Sequence, residues 1–98
     1  MVRRSAQAEE DLINIWLYVA IHDQLAADRL LDRLRERWEL LATQPRSGSL
    51  RPGLGSGIRH VVTGKYVTYY RIDGDDIEIL RVFHGHRDVA AEDLGLTP

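Results

Sequence analysis

No cysteine occurs in the 98 residues, so neither a disulfide nor a thiolate site is possible. A chain without thiols suits a reducing cytosol. No apolar run approaches the ~20 residues that a membrane-spanning helix needs. The opening MVRRSAQAEE lacks the apolar stretch of a signal peptide. These absences predict a soluble, cytoplasmic protein with no membrane partner. Excess charge is missing too: the formal net charge is −2 and the pI about 6.0. Dedicated nucleic-acid binders are usually basic, so this balance argues against that class. One stretch lacks a single sign of charge. Between Pro45 and Ile72 there is no Asp or Glu, while Arg46, Arg51, Arg59, Lys65 and Arg71 all fall there. A local basic surface is therefore expected within a mildly acidic protein.

What is present is globular in character, with 44% hydrophobic and 29% charged residues. The length suits one domain, residues 1–98, without repeats or low-complexity segments. Residues 2–4 fit a short edge strand. Ser5 is placed to cap a helix, and Glu9, Glu10 and Asp11 favour its N-terminus through the helix dipole. Ala8, Leu12, Ile15, Trp16 and Val19 then recur at helical spacing, which predicts a helix over 6–21. Asp23 caps a second helix whose apolar stripe is Leu30, Leu31, Leu34, Trp38, Leu41 and Ala42, ended by Pro45. So short a connection makes the two an antiparallel hairpin. Trp16 and Trp38 both fall on these stripes and are read as core.

Residues 45–57, PRSGSLRPGLGSG, read as a long loop, a length often tied to function but equally open to a plain connector. Three strands follow, at 58–63, 66–72 and 76–83, joined by Gly64-Lys65 and by the hairpin signal Asp73-Gly74-Asp75. The tail, 86–98, fits one helical turn around 90–94. The expected architecture is α+β: a helical hairpin packed on a small antiparallel sheet, in the order β-α-α-β-β-β. A sheet covered on one face should alternate apolar and polar residues. Here Tyr66, Val67, Tyr69, Tyr70 and Ile72, then Ile77, Ile79, Leu80, Val82 and Phe83, put apolar residues on both faces. Either the N-terminal strand and tail cover the second face, or a partner does; the partner is the reading taken.

The segment RVFHGHRD, 81–88, concentrates the candidate chemistry. His84 and His86 would point the same way on a strand, but no spacing links a third ligand, so no metal site is expected. Acid–base work at neutral pH suits histidine, and cations suit a phosphate. His60, His84 and His86 could supply the first, and Arg59, Arg71, Arg81 and Arg87 the second. The competing reading is ordinary surface histidines and strand arginines paired with carboxylates. No nucleophile elbow surrounds any serine. The glycine-rich Gly53–Gly57 leads into a strand rather than a helix, so it is no phosphate cradle. No cofactor is expected.

AEEDLINIWLYVA, LLATQPRSG, GIRHVVTGKYVTYYRI and IEILRVFHGHRD, taken in this order across nearly the whole chain, resemble the ParE branch of the RelE/ParE toxins of bacterial toxin–antitoxin pairs. The resemblance implies a short strand, a helical hairpin and an antiparallel sheet. It also implies a toxin held inactive by a ParD-like antitoxin, meeting DNA only indirectly through that antitoxin. In the ParE branch the activity is inhibition of DNA gyrase, with no chemistry by the toxin, so no enzyme and no catalytic residue are expected. In the RelE branch it is ribosome-dependent cleavage of mRNA. Where the RelE pattern has two lysines this chain has Ile58 and His60; where it has an arginine, Val67; where it has a tyrosine, about Asp93. Only Arg87 matches. If the chain were such a ribonuclease, His84, His86 and Arg87 would carry it. As a binding protein, its target or antitoxin surface would comprise Arg59, Val67, Tyr69, Arg71 and Arg81, with Phe83, His84, His86 and Arg87.

Overall fold

A computed structural model describes residues 1–96; Thr97 and Pro98, the end of the expected tail, lie outside the described residues. The elements are β1 (Val2–Arg4), α1 (Ala6–Ala20), α2 (Gln24–Thr43), β2 (Ser49–Leu50), β3 (Ile58–Thr63), β4 (Tyr66–Asp73) and β5 (Asp76–His84). Short 3₁₀ turns sit at Pro52–Leu54 and Ala91–Leu94. The α+β class and the helical hairpin on a sheet are as expected. Two details of the sheet differ. It has five strands in the order β1-β5-β4-β3-β2, and it is mixed, because β1 runs parallel to β5. The extra strand, β2, lies inside the segment read as a loop and pairs antiparallel with β3.

Both helices start as their residues dictate. Ser5 Oγ accepts from the Ala8 amide at 3.0 Å, and Asp23 Oδ1 from the Ala26 amide at 3.0 Å. Each such cap contributes about 1 kcal/mol. The stripe that faces the sheet is narrower than the sequence pattern suggested. Ala8, Leu12 and Ile15 of α1 and Leu34, Trp38 and Leu41 of α2 are buried with Val61, Tyr66, Tyr70, Ile77, Ile79 and Val82. Trp38 donates its indole N–H to Thr68 Oγ1 at 3.0 Å, inside this core. Ala42 is exposed, and Trp16 is only partly buried. The Trp16 indole donates to Asp28 Oδ1 at 2.8 Å, tying α1 to α2 near the hairpin end.

A bulge explains why the strand pattern looked blurred. Tyr69 pairs with Arg81 but Tyr70 pairs with Ile79, leaving Leu80 as the extra residue. Ile77 and Ile79 face the helices before it, and Val82 does so after it, while Leu80 and Phe83 face away. The bulge leaves edge groups beyond the end of β1 without ladder partners. Helix α1 and its cap supply them: Ser5 Oγ donates to the Leu80 carbonyl at 2.7 Å, and Asp11 Oδ2 accepts from the Val82 amide at 2.9 Å.

The second face is not left for a partner, which corrects the expectation above. A second apolar cluster there unites Ile58, Tyr69, Leu80 and Phe83 with Leu54 and Leu94, flanked by Val67, Val89 and Leu96. The Pro52–Leu54 turn and the tail after β5 thus roof the sheet themselves. Most of the surplus apolar surface lies elsewhere: Ile13, Leu17, Tyr18, Ile21 and Leu25 of the helical hairpin remain exposed, while on the sheet Leu50 and Val62 do.

The segment 45–51 is held by one side chain. Tyr70 Oη donates to the Pro45 carbonyl at 2.7 Å and accepts from the Gly48 amide at 3.0 Å. A Cβ on Gly48 would stand 2.7 Å from the His60 carbonyl oxygen and 2.5 Å from Tyr70 Oη, so only glycine allows this approach.

Candidate functional site

The residues singled out in the sequence separate into three groups once folded. Tyr69 and Phe83 are buried in the second cluster, and Val67 packs against it. They hold the tail in place and do not form an open surface. The arginines of the strands mostly have partners. Arg71 Nε donates to Glu78 Oε1 at 2.7 Å. Arg59 reaches back to the Gly48 carbonyl at 2.8 Å and the Arg46 carbonyl at 3.3 Å, so it braces the 45–51 segment. Arg81 is the most constrained. Its Nε and Nη2 donate to the two Asp11 oxygens at 2.8 and 2.9 Å, and its Nη1 donates to the Asp93 carbonyl at 2.8 Å. The Asp11 carboxylate, bonded to the guanidinium, raises the Arg81 pKa above its ordinary value, against the opposing effect of burial. This fork joins α1 to β5, 70 residues away, and to the tail that follows β5.

The third group, His84, His86 and Arg87, is exposed at the end of β5. The two imidazoles stack at 4.9 Å between centroids, and the Tyr66 ring stands edge-on to His84 at 5.5 Å. Arg87 lies over the Phe83 ring at 4.2 Å and contacts Asp93 Oδ1 at 3.2 Å. Asp93 has its pKa lowered, chiefly by the Ala90 backbone N–H and then by Arg87. His60 lies apart from this group, on the second face, with its Nδ1 buried and without a hydrogen-bond partner. Burial, and then the charge of Arg51, lower its pKa, partly offset by the nearby Ser49 backbone. It cannot cooperate with His84, because Val67 and Tyr69 flank it on one face while His84 sits beside Tyr66 on the other.

Sequence reasoning missed the cleft next to His84. Two depressions, of about 520 and about 450 Å³, share Tyr18, Tyr66 and His84 and so form one opening between α1 and the β3–β4 turn. Ile15, Val19 and Leu30 give it an apolar floor, and Arg33, Lys65 and Arg87 border it. Burial, and then proximity to Tyr18, push the Tyr66 pKa up. Tyr18 was the available signal: it stands outside the Leu12-Ile15-Val19 stripe, and it is 69% exposed. Among the described residues no group of three or more His, Asp or Glu is placed to hold a metal ion. No helix among them is long and apolar enough to cross a membrane.

The family model for the ParE toxin of type II toxin–antitoxin systems, parDE, matches residues 2–89. The chain belongs to the ParE toxin family. It is thus a type II toxin of the ParE/RelE superfamily, and its relatives agree. Toxin ParE3 of Caulobacter vibrioides is 32% identical over 66 residues, covering 67% of this chain and 66% of that protein. Y4kP of Sinorhizobium fredii is 35% identical over 88 residues, 88% of each. The chromosomal ParDE system of P. aeruginosa contains a chain of the same fold, with a TM-score of 0.71 at 23% identity, covering 85% of this toxin and 92% of that chain. The RelBE2 toxin–antitoxin complex of Mycobacterium tuberculosis contains another, with a TM-score of 0.65 at 30% identity, covering 86% of this toxin and 95% of that chain.

Proposed function

We propose that this ParE-family toxin works in the cytoplasm by gripping other proteins: it inhibits DNA gyrase when free and is silenced by a ParD-like antitoxin. Cutting RNA requires preorganised cations at the phosphate and a proton acceptor beside the 2′-hydroxyl. The observation that carries the reading is the state of the second sheet face. The positions where the RelE pattern has cations hold Ile58, His60 and Val67, all on that face, and the tail and the Leu54 turn pack across it. Ile58 is 1% exposed. The nearby Arg81 and Arg59 are committed to Asp11 and to backbone carbonyls. What remains at the surface is a cleft with an apolar floor and a cationic rim, a composition suited to protein contact.

The test is a gyrase supercoiling assay with purified, folded toxin. Inhibition that is relieved by adding the antitoxin is expected. Normal supercoiling at saturating toxin would contradict the proposal. A second reading, a RelE-like ribonuclease acting on translated mRNA, draws support from the stacked His84–His86 pair beside Arg87 and from the likeness to the RelBE2 complex. Its mark would be messages cut in a translating extract, with the cuts lost in His84→Ala and His86→Ala.

A further inference from the structure

We infer that the end of the molecule built around the β3–β4 turn is the docking site for an acidic, amphipathic segment of the antitoxin, an inference that rests on the reading of this chain as an antitoxin-bound toxin. The turn is tight. Gly64 has φ +59°, while among the described residues none other than glycine has a positive φ, so only the first turn residue needs the left-handed region. That geometry leaves Lys65 exposed at the tip. Arg33 of α2 lies against the same turn: a Cβ on Gly64 would be 3.5 Å from its Nη2. Arg37, one helical turn further on, borders the turn from the other side.

The charge here is uncompensated. Arg3, Arg4, Arg35, Arg71, Arg81 and Arg87 each have a carboxylate within 4.0 Å. Among the described residues Arg33 and Lys65 have none, and Arg37 meets only Ser47 Oγ at 3.3 Å. Of the residues lining the three depressions that meet at the turn, Glu36 alone is acidic. His84 and His86 add imidazoles to the same rim. Three cations without a carboxylate partner thus stand together here in a chain of net charge −2, whereas Arg29, Arg46, Arg51 and Arg59, which also lack one among the described residues, line none of these depressions. Such a patch draws an oppositely charged partner and fixes its register.

Apolar surface accompanies the charge. Leu40 and Val62 are exposed beside the turn, and Tyr18 stands at the mouth of the cleft floored by Val19 and Leu30. Aliphatic contact dominates, and the two imidazoles already stack on each other, so few open aromatic faces remain for bases. An amphipathic peptide fits better: apolar side chains enter the cleft while carboxylates on its flank meet Arg33, Arg37 and Lys65.

The experiment compares the toxin with its triple variant Arg33→Glu/Arg37→Glu/Lys65→Glu, and with Arg29→Glu as control, titrated with a purified ParD-like antitoxin from the same organism. All four positions are on the surface or near it, and circular dichroism checks that each variant folds. Affinity should drop about a hundred-fold in the triple variant and its salt dependence should flatten, while Arg29→Glu should bind within a few-fold of the wild type. Wild-type affinity and salt dependence in the triple variant would overturn the docking site and leave the antitoxin reading intact. Absence of any complex with wild-type toxin would sink that underlying reading and the site with it. Binding of a short single-stranded RNA that the triple variant loses would reassign the patch to nucleic acid. Self-association seen by light scattering and lost in the variant would reassign it to a second copy.

Discussion

Removing the Asp11 carboxylate should unfasten the toxin more than any other single surface-accessible change. The Asp11 and Arg81 side chains are 12% and 18% exposed, so the pair sits mostly out of water. Asp11 accepts three hydrogen bonds, two from Arg81 and one from the Val82 amide. In Asp11→Ala the guanidinium keeps only the Asp93 carbonyl, and the bulge amide loses its acceptor. Breaking a buried pair from one side costs ~3–5 kcal/mol, and the residual exposure places this case near the lower figure. Arg81→Met should cost somewhat less, because Asp11 keeps the Val82 amide. The double variant removes both charges, so its cost should fall short of the sum by about 2 kcal/mol, the coupling typical of residues in one network. Urea unfolding followed by circular dichroism measures all three. For a chain of this size the Asp11→Ala loss corresponds to a Tm lower by roughly 12 °C or more. A loss below about 1 kcal/mol, or additivity to within about 0.5 kcal/mol, would mean that Arg81 is not held by Asp11 and is free for other work.

Two further predictions concern the sheet edge that carries β2. Gly48→Ala and Tyr70→Phe should each destabilise by about 1–3 kcal/mol, the first by overpacking against the His60 carbonyl and the second by stranding the Gly48 amide and Pro45 carbonyl; unchanged urea midpoints would count against this arrangement. His60 has its folded pKa below the unfolded value of about 6.5, so its neutral form favours the fold. That contribution is complete above pH ~6.5 and is lost as pH falls from there through the lower folded pKa. Stability should decline on mild acidification, and His60→Gln should flatten the decline; a His60→Gln profile parallel to the wild type would show that other groups set it.

Much of this fold is written in local pattern, and the site is not. Ser5, Asp23 and Pro45 mark helix ends by chemistry that acts within a few residues, and Leu12, Ile15, Leu34 and Trp38 repeat at the period of a turn. Strand pairing at Asp73–Asp76 is announced by its turn residues. The bulge at Leu80 is different: it is defined by which residue of β4 faces it, so the alternation along β5 looked like surplus grease. The brief β2 strand hides among Ser, Gly and Pro because Arg59 and Tyr70, distant in sequence, hold it. Charge was the hardest to read. Arg59 and Arg81 look as available as Arg33 and Lys65 until Asp11, 70 residues away from Arg81, is seen to close on it. Arg33 and Arg37 belong to α2 and Lys65 to a turn, and only the fold brings these three together.

The pairing of β1 with β5 sets the order in which the toxin can mature. Val2 lies beside Ile77 and Arg4 beside Ile79, so β1 must wait for β5, more than 70 residues later, before their ladder can close. Such distant contacts form slowly. While a nascent chain is still being translated, its helices can form but its sheet edge stays open and Asp11 has no guanidinium to hold. The closed sheet, and with it the Asp11–Arg81 fork, therefore exists only after synthesis has passed His84.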